Sequence, residues 1–200
     1  MVTGQPLREV QRLARDAEHA GFSGLVVTEA GRTAYLSCAA AALASDLHVS
    51  TGIAVAFPRS PMVTAQAAWE LAEATGGRFR LGLGTQVRAH MERRYGVDFA
   101  SPGPRLRDHV MAVRACFAAF DGQPLDHDGE FTRLSLLPAM WSPGPIPVGP
   151  PPIDVAAVNP WMLRMAGEVA DGVRPPPQHP HLSHTDGGAG ARRRGGAGGP

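Results

Sequence analysis

The chain has 200 residues, of which 44% are hydrophobic and 18% are charged, and its formal net charge is +1. This balance fits a globular domain with a sizeable core and gives no reason to expect a nucleic-acid or membrane partner. No apolar run reaches the roughly 18 residues of a membrane span, and the N-terminus lacks the apolar core of a signal peptide. Cys38 and Cys116 lie in alanine-rich stretches typical of helices, so we expect free, buried thiols and a cytoplasmic protein.

Apolar residues recur every three or four positions between Leu7 and Ala20, and Gly21 closes the segment, which predicts an amphipathic helix at the start of the chain. Further helices are predicted at about 35–45, 60–77, 103–122 and 161–170. Short apolar runs predict buried strands at 24–29, 47–57, 79–84, 151–158 and from 171 onwards. This alternation is typical of a parallel sheet wrapped by helices.

The repeated unit favours an α/β fold of the (β/α)8 TIM-barrel type over an open doubly wound sheet, because no glycine-rich dinucleotide fingerprint opens the first helix. A complete barrel of this type needs about 250 residues. Only MVTGQP precedes the first helix, so we expect the first strand to be missing and the last βα units to be missing or altered. Residues 1–174 are predicted to form the barrel domain, with the proline- and glycine-rich stretch 123–150 as an insertion region.

Residues 175–200 have the composition of a disordered tail, rich in Pro, His, Gly and Arg. A shift of the reading frame is a second explanation. Moving one base forward through the codons for Gln178 to Gly187 permits Asn-Thr-Pro-Thr-Tyr-Leu-Thr-Gln, an ordinary start to a barrel helix. Sequencing of the coding DNA distinguishes the two explanations, because an intact frame excludes the second.

Ligands of parallel βα barrels bind where the strands end, so the residues that follow each predicted strand form the candidate site. They are mostly small and weakly polar, which suits a flat, extended ligand and predicts no metal site. The candidates are Glu29, Gly52, Ile53, Ala54, Gly84, Thr85, Gln86, Ala157, Val158 and Asn159.

Several of these features have more than one explanation. Gly82 and Gly84 leave space either for a ligand or for a packed neighbour, because glycine in a strand marks the close approach of one or the other. Glu29 is either a catalytic carboxylate or a helix cap. The basic stretch 88–94 is interpreted as the solvated face of a helix rather than as an anion site.

The stretch IAVAFPRSPMVTAQAAWELAEATGGRFRLGLGTQVRAHMERRYG resembles the central signature of the luciferase-like monooxygenase superfamily, and specifically its actinobacterial, deazaflavin-dependent oxidoreductase branch. The segments SPGPRLRDHVMAVRACF, GEF, SPGPI and PPIDVAAVNPWMLRMAGEVADGV extend the resemblance in the order found in the family. The similarity covers residues 7 to about 174 and is most specific over 50–96.

This resemblance implies a (β/α)8 barrel in which a flavin or deazaflavin ring stacks against a bulge at the end of the third strand, near Gly52 and Ile53, often with a non-proline cis peptide bond. The segment Gly84 to Gln86 would then lie beside the ring and ribityl chain of the cofactor. The segment Ala156 to Asn159 would lead into a helix whose N-terminal amides hold the cofactor phosphate. Family members often have Gly where Val158 and Asn159 stand here.

The function implied by the resemblance is hydride transfer by an oxidoreductase that depends on coenzyme F420 and acts on a small-molecule substrate. An FMN-dependent monooxygenase of the same fold is the first alternative, and a non-catalytic remnant is the second. Glu29 is the candidate catalytic residue, and a homodimer is the candidate assembly. In the insertion region, Phe131, Met140 and Trp141 either line a pocket or pack the loop down, and we favour packing.

Overall fold

The computed structural model describes residues 1–174 of the chain, so the predicted tail lies outside the described residues. Its α-helices are α1 (Leu7–His19), α2 (Ala34–Ala42), α3 (Pro61–Ala74), α4 (Arg88–Arg94), α5 (Pro102–Phe120) and α6 (Pro160–Val169). Its strands are β1 (Val2–Thr3), β2 (Gly24–Thr28), β3 (His48–Thr51), β4 (Ala54–Val55), β5 (Phe79–Gly84), β6 (His127–Asp128), β7 (Arg133–Leu134), β8 (Ile153–Ala156) and β9 (Gly172–Arg174). One 3-10 helix spans Ala139–Trp141.

The helices begin at the residues that the sequence signals indicate. Ser60 caps α3, its hydroxyl accepting a hydrogen bond from the amide of Val63 at 3.3 Å, and Pro61 occupies the first turn, where no amide hydrogen is needed. On α1 the apolar face buries Val10 and Ala14. The predicted helices are therefore confirmed, with ends that shift by a few residues.

A parallel sheet forms the centre of the fold. Its strands follow the order β1-β2-β3-β5-β8-β9, with β4 paired to β5, and every pair in this sheet is parallel. Because consecutive strands are neighbours and crossovers between parallel strands are right-handed as a rule, the connecting helices α1, α2, α3, α5 and α6 lie on one face of the sheet. A doubly wound sheet would reverse its strand order and carry helices on both faces. The structure therefore confirms an α/β fold of the barrel type.

The core lies between the sheet and its helices. Phe79, Leu81 and Leu83 of β5 are fully buried on the helix side. Trp69 of α3 packs against Phe117, with ring centroids 5.6 Å apart, and continues this core away from the sheet. Alternate residues of each strand point to the opposite face, which the helices do not cover.

The structure corrects two expectations about the strands. A short first strand is present, because Val2 and Thr3 pair in parallel with the end of β2, although six residues before the first helix predicted none. The strand predicted at 47–57 is divided into β3 and β4, since the pairing with β5 breaks between Thr51 and Ala54.

The stretch 123–150 contains the β6–β7 hairpin and the 3-10 helix, both without a place in the central sheet. The indole of Trp69 donates a hydrogen bond to the carbonyl oxygen of Gly144 at 2.9 Å and so ties this stretch to α3. The expected packing is wrong for Met140 and Trp141, whose side chains are largely exposed, and Phe131 is partly exposed. The 3-10 helix turns the side chains of Met140 and Trp141 outward, and Trp69 provides the anchoring aromatic ring instead.

Candidate functional site

A cleft of about 370 Å³ opens at the carboxyl ends of β5 and β8. Its walls combine strand ends with the first turns of α5 and α6, and they contain Thr85, Pro102, Gly103, Pro104, Ala156, Val158, Asn159, Trp161 and Met162. A larger hollow of about 500 Å³ lies at the opposite end of α5. That hollow contains no strand end, so we assign the candidate site to the cleft at the strand ends.

The third strand is interrupted beside this cleft. The peptide bond between Gly52 and Ile53 is cis, which confirms the position that the resemblance implies. Thr51 compensates for the interruption with its side chain: the hydroxyl accepts from the amide of Gly82 and donates to the carbonyl oxygen of Gly82, both at 2.8 Å. The bulge therefore stays bonded to β5 through the side chain of Thr51.

The two glycines of β5 leave space for neighbouring protein atoms. A Cβ on Gly82 would overlap the carbonyl oxygen of Thr51. A Cβ on Gly84 would lie 2.9 Å from Cγ1 of Ile53 and 3.3 Å from Cβ of Ala156. Of the two explanations that the sequence allowed, the packed neighbour accounts for both positions.

Thr85 and Gln86 continue the chain beyond β5 at the edge of the cleft. The Thr85 hydroxyl donates to the carbonyl oxygen of Gln86 at 3.0 Å, and the side-chain oxygen of Gln86 accepts from the amide of Val87 at 3.1 Å. Gln86 has a φ of 60°, in the left-handed region that favours glycine. The turn brings Thr85 into the wall of the cleft.

The first turn of α6 closes the cleft on the side of β8. Asn159 caps this helix, and its side-chain oxygen accepts from the amide of Met162 at 2.9 Å. Pro160 has no amide hydrogen, so the amide of Trp161 is the one left for a ligand within the turn. Ala157 is buried next to this turn, whereas Val158 is exposed in the cleft wall.

Glu29 follows β2 and is nearly inaccessible, with 4% of its side chain exposed. Its carboxylate forms an ion pair with Arg59 and accepts from the amide of Val55 at 2.7 Å. The guanidinium of Arg59 lies 5.1 Å from the ring centroid of Tyr35. Burial lowers the pKa of Arg59, but the hydrogen bond and charge of Glu29 outweigh that effect and hold the pKa above its usual value.

Two features, one in the cleft and one at the end of β2, escaped the sequence analysis. The indole of Trp161 lies against Gly103, where a Cβ would fall 2.9 Å or less from two atoms of the ring. The ion pair between Arg59 and Glu29 joins residues 30 positions apart. The Gly between Pro102 and Pro104 was a usable signal for close approach, but no local pattern indicates the long-range ion pair.

The basic segment 88–94 forms α4, whose residues are exposed except for Met91. Arg88 pairs with Glu92 at 2.6 Å, and its guanidinium lies over the ring of Phe99 at 5.3 Å. The interpretation as a solvated helix face is confirmed. The charge that follows β5 thus lies on the surface beside the cleft.

Among residues 1–174, no group of three or more His, Cys, Asp or Glu side chains is placed to hold a metal ion. Over the same residues, no helix is both long enough and apolar enough to span a membrane. Cys38 and Cys116 are free and buried, as the sequence predicts.

The chain is similar in sequence to a known protein family and to individual proteins. The profile of the luciferase-like monooxygenase family matches residues 1–187. A protein of Mycobacterium tuberculosis is 40% identical over 181 residues, which cover 86% of this chain and 51% of that protein. The 5,10-methylenetetrahydromethanopterin reductase of Methanolobus tindarius is 28% identical over 182 residues, covering 90% and 53%. The chain thus spans about half the length of the curated relatives it matches.

Solved structures share the fold. The coenzyme F420-dependent tetrahydromethanopterin reductase of Methanopyrus kandleri superimposes with a TM-score of 0.71 at 20% identity, covering 86% of this chain and 53% of that one. The oxygenating component of 3,6-diketocamphane monooxygenase from Pseudomonas putida, solved with FMN, gives a TM-score of 0.65 at 19% identity, with coverages of 81% and 49%. These similarities establish the luciferase-like barrel as the fold of the described region.

Proposed function

Because the chain belongs to the luciferase-like monooxygenase family, we propose that it is an oxidoreductase that binds coenzyme F420 in the cleft between β5, β8 and α6. The observation that carries this proposal is the position of the cleft at the carboxyl ends of parallel strands, where barrels of this kind bind ligands. The methylenetetrahydromethanopterin reductase among the relatives supports a reductase over other activities.

The residues of the cleft fit a flat ring with a polar chain. Ala156 keeps the floor of the cleft low, and Thr85 offers a hydroxyl at its edge. We assign cofactor binding to three segments: Gly52, Ile53 and Ala54; Gly84, Thr85 and Gln86; and Ala157, Val158 and Asn159. When bound, the deazaflavin supplies the hydride-carrying carbon, while the protein orients the ring and excludes water from one face.

The cofactor phosphate is the group that this chain fits least well. In the first turn of α6, the amide of Met162 is occupied by the side chain of Asn159, and Pro160 offers none. The amide of Trp161 and the polar groups of Asn159 are what remain for an anion. We therefore expect the phosphate to contribute less to affinity here than the ring does.

Titration of the 200-residue chain with oxidised coenzyme F420, and separately with FMN, tests the proposal by cofactor fluorescence. Val158→Trp places a bulky ring in the cleft wall at a position that is 75% exposed, so it should block binding without unfolding the chain. Leu136→Trp is the matched control, because Leu136 is 77% exposed and lies outside the cleft. We expect saturable binding of the deazaflavin to the wild-type chain and to Leu136→Trp, and no binding to Val158→Trp.

FMN-dependent monooxygenation is the second candidate function. The FMN-bound monooxygenase with the same fold favours it. Tighter binding of FMN than of coenzyme F420 in the same titration would replace the first proposal with this one. Binding of neither cofactor would favour the non-catalytic alternative.

A homodimer is our proposal for the assembly. Residues 34–42 of α2 include no charged side chain. Leu36 of this helix and Leu43, seven residues later at its C-cap, are both exposed on the outside of the domain. A second copy placing the same face against this one would bury both residues. Sedimentation velocity of the wild-type chain and of Leu36→Glu tests it, and a monomeric wild-type chain would exclude it.

A further inference from the structure

Glu29 continues the hydrogen-bond ladder of the sheet where the third strand is interrupted. The amide of Gly52 donates to the carbonyl oxygen of Val27 at 2.8 Å, and the amide of Glu29 donates to the carbonyl oxygen of Ile53 at 3.3 Å. One step further, the amide of Val55 donates to Oε2 of the Glu29 side chain at 2.7 Å. A side-chain carboxylate thus takes the place that a backbone carbonyl holds in a regular ladder.

Arg59 holds that carboxylate in place. Its Nη1 donates to Oε2 of Glu29 at 3.1 Å, its Nη2 donates to Oε1, and Nη1 also donates to the carbonyl oxygen of Val55 at 3.2 Å. Thr33 accepts a further hydrogen bond from Nη2 at 3.2 Å. With 21% of the Arg59 side chain exposed and 4% of Glu29, the pair is shielded from solvent, and each charge depends on the other.

Both oxygens of Glu29 are engaged by this network, so proton transfer at this carboxylate would require it to release Arg59 or Val55. The network ends at Ile53, whose side chain lies against Gly84 at the edge of the cleft. We propose that Glu29 and Arg59 are a positioning pair that fixes the segment Ile53–Val55 as one wall of the cofactor site. This inference rests on the proposed function.

Replacing Glu29 in two ways separates the functions of the carboxylate. Glu29→Gln keeps a side-chain oxygen for the amide of Val55 but leaves Arg59 without its counter-charge, whereas Glu29→Ala removes the partner of both groups. In titrations with oxidised coenzyme F420 and with FMN, we expect Glu29→Ala to weaken binding about tenfold or more and Glu29→Gln to weaken it by a smaller factor, because a loosened wall loses preorganisation. Asp46→Asn is the control, since it breaks the exposed ion pair with Arg78 away from the cleft.

Amide hydrogen exchange of Val55 in the cofactor-free chain provides a readout that needs no ligand. We expect exchange to be about 100-fold faster in Glu29→Ala, faster by a smaller factor in Glu29→Gln and close to wild type in Asp46→Asn. Unchanged exchange and unchanged affinity in Glu29→Ala would overturn the inference. A wild-type chain that binds neither cofactor would overturn the proposed function, and the exchange of Val55 would then decide the role of Glu29 on its own.

Discussion

The hydroxyl of Thr51 binds both backbone polar groups of Gly82 at once, accepting from the amide and donating to the carbonyl oxygen, each at 2.8 Å. Thr51 is fully buried, so water cannot replace either bond. The side chain thus repairs the ladder between β3 and β5 where the strand is interrupted. Gly82 in turn must lack a side chain, because the backbone of Thr51 occupies that space.

Thr51→Val should destabilise the chain more than its small change in shape suggests. Valine has the same shape as threonine but leaves the amide and carbonyl of Gly82 without partners, and each unpaired buried group costs about 1–3 kcal/mol. Thr51→Ser keeps the hydroxyl and should cost less than about 1.5 kcal/mol. Urea unfolding measures both, and equal losses for the two variants would contradict this account of the bulge.

Gly82→Ala should be among the most damaging single-methyl additions in the sheet. The new Cβ meets the backbone carbonyl of Thr51, which cannot rotate away, and overpacking of this kind costs about 1–3 kcal/mol or more. Gly167→Ala is the matched control: no atom lies within 4 Å of the added Cβ, and α6 should gain up to about 1 kcal/mol from helix propensity. In unfolding experiments, we expect Gly82→Ala to lower the free energy of unfolding and Gly167→Ala to raise it. A change of the same sign in both variants would argue against the close approach of Thr51 to Gly82.

The elements of this fold are largely predictable because each has a local signature. The run FRLGLG predicts β5 at its observed bounds, Phe79–Gly84, since a short apolar run between turn residues has little else to form. Helix α3 starts at Pro61 after Ser60, as capping preferences predict. The first strand was missed because Val2 and Thr3 are too few to show a pattern and are strand only through pairing with β2.

The site is less predictable, because its contacts are long-range. A glycine in a strand indicates that another group approaches closely, but it does not identify that group. Only the structure shows that Thr51 lies against Gly82 and Ile53 against Gly84. The pairing of Glu29 with Arg59 depends on the direction in which the bulge turns the chain. No spacing of residues in the sequence indicates that direction. The resemblance located the cis peptide bond, but the side chains around it had to be observed.

His109 should make the chain less stable as the pH falls below neutrality. Burial, and secondarily the charge of Arg105, lower its pKa from 6.5 to about 4, while Asp108 opposes the shift. The unfolded chain therefore binds more protons between these two values, so the stability contributed by neutral His109 is lost as the pH falls from about 6.5 to 4. The full loss is about 3 kcal/mol, of which roughly 2 kcal/mol appears by pH 5.

Replacement of His109 by leucine tests this pH dependence. Leucine fills a similar volume without a titrating nitrogen, and Nε2 of His109 has no hydrogen-bond partner among the described residues to lose. The free energy of unfolding in urea at pH 7.5 and pH 5 should differ less in His109→Leu than in wild type. His19→Gln, at an exposed position, should leave the difference unchanged. If the difference between the two pH values were the same in His109→Leu as in wild type, the acid sensitivity would come from another group.

Cys38 and Cys116 should be unreactive in the folded chain. Burial raises the pKa of both thiols to about 12, so the reactive thiolate is scarce at pH 8 and the sulfurs are inaccessible. A thiol reagent should modify both quickly in urea and neither in buffer over the same time. Ser135→Cys adds an exposed thiol as a positive control for the buffer reaction. Prompt labelling of the wild-type chain in buffer would show that the core around α2 or α5 opens readily.

Asn159→Gly should trade helix stability for anion binding. The side chain of Asn159 occupies the amide of Met162, and glycine at an N-cap costs only a few tenths of a kcal/mol while freeing that amide. We expect FMN, which carries a terminal phosphate, to bind several-fold more tightly to Asn159→Gly than to wild type, because a charge-assisted hydrogen bond becomes available at a helix N-terminus. Asn159→Ala frees the same amide but loses about 1 kcal/mol of capping, so it should gain affinity with a lower melting temperature. Weaker FMN binding in both variants would instead identify the Asn159 side chain as a direct partner of the phosphate, and the cap would then be a resting arrangement that ligand binding replaces.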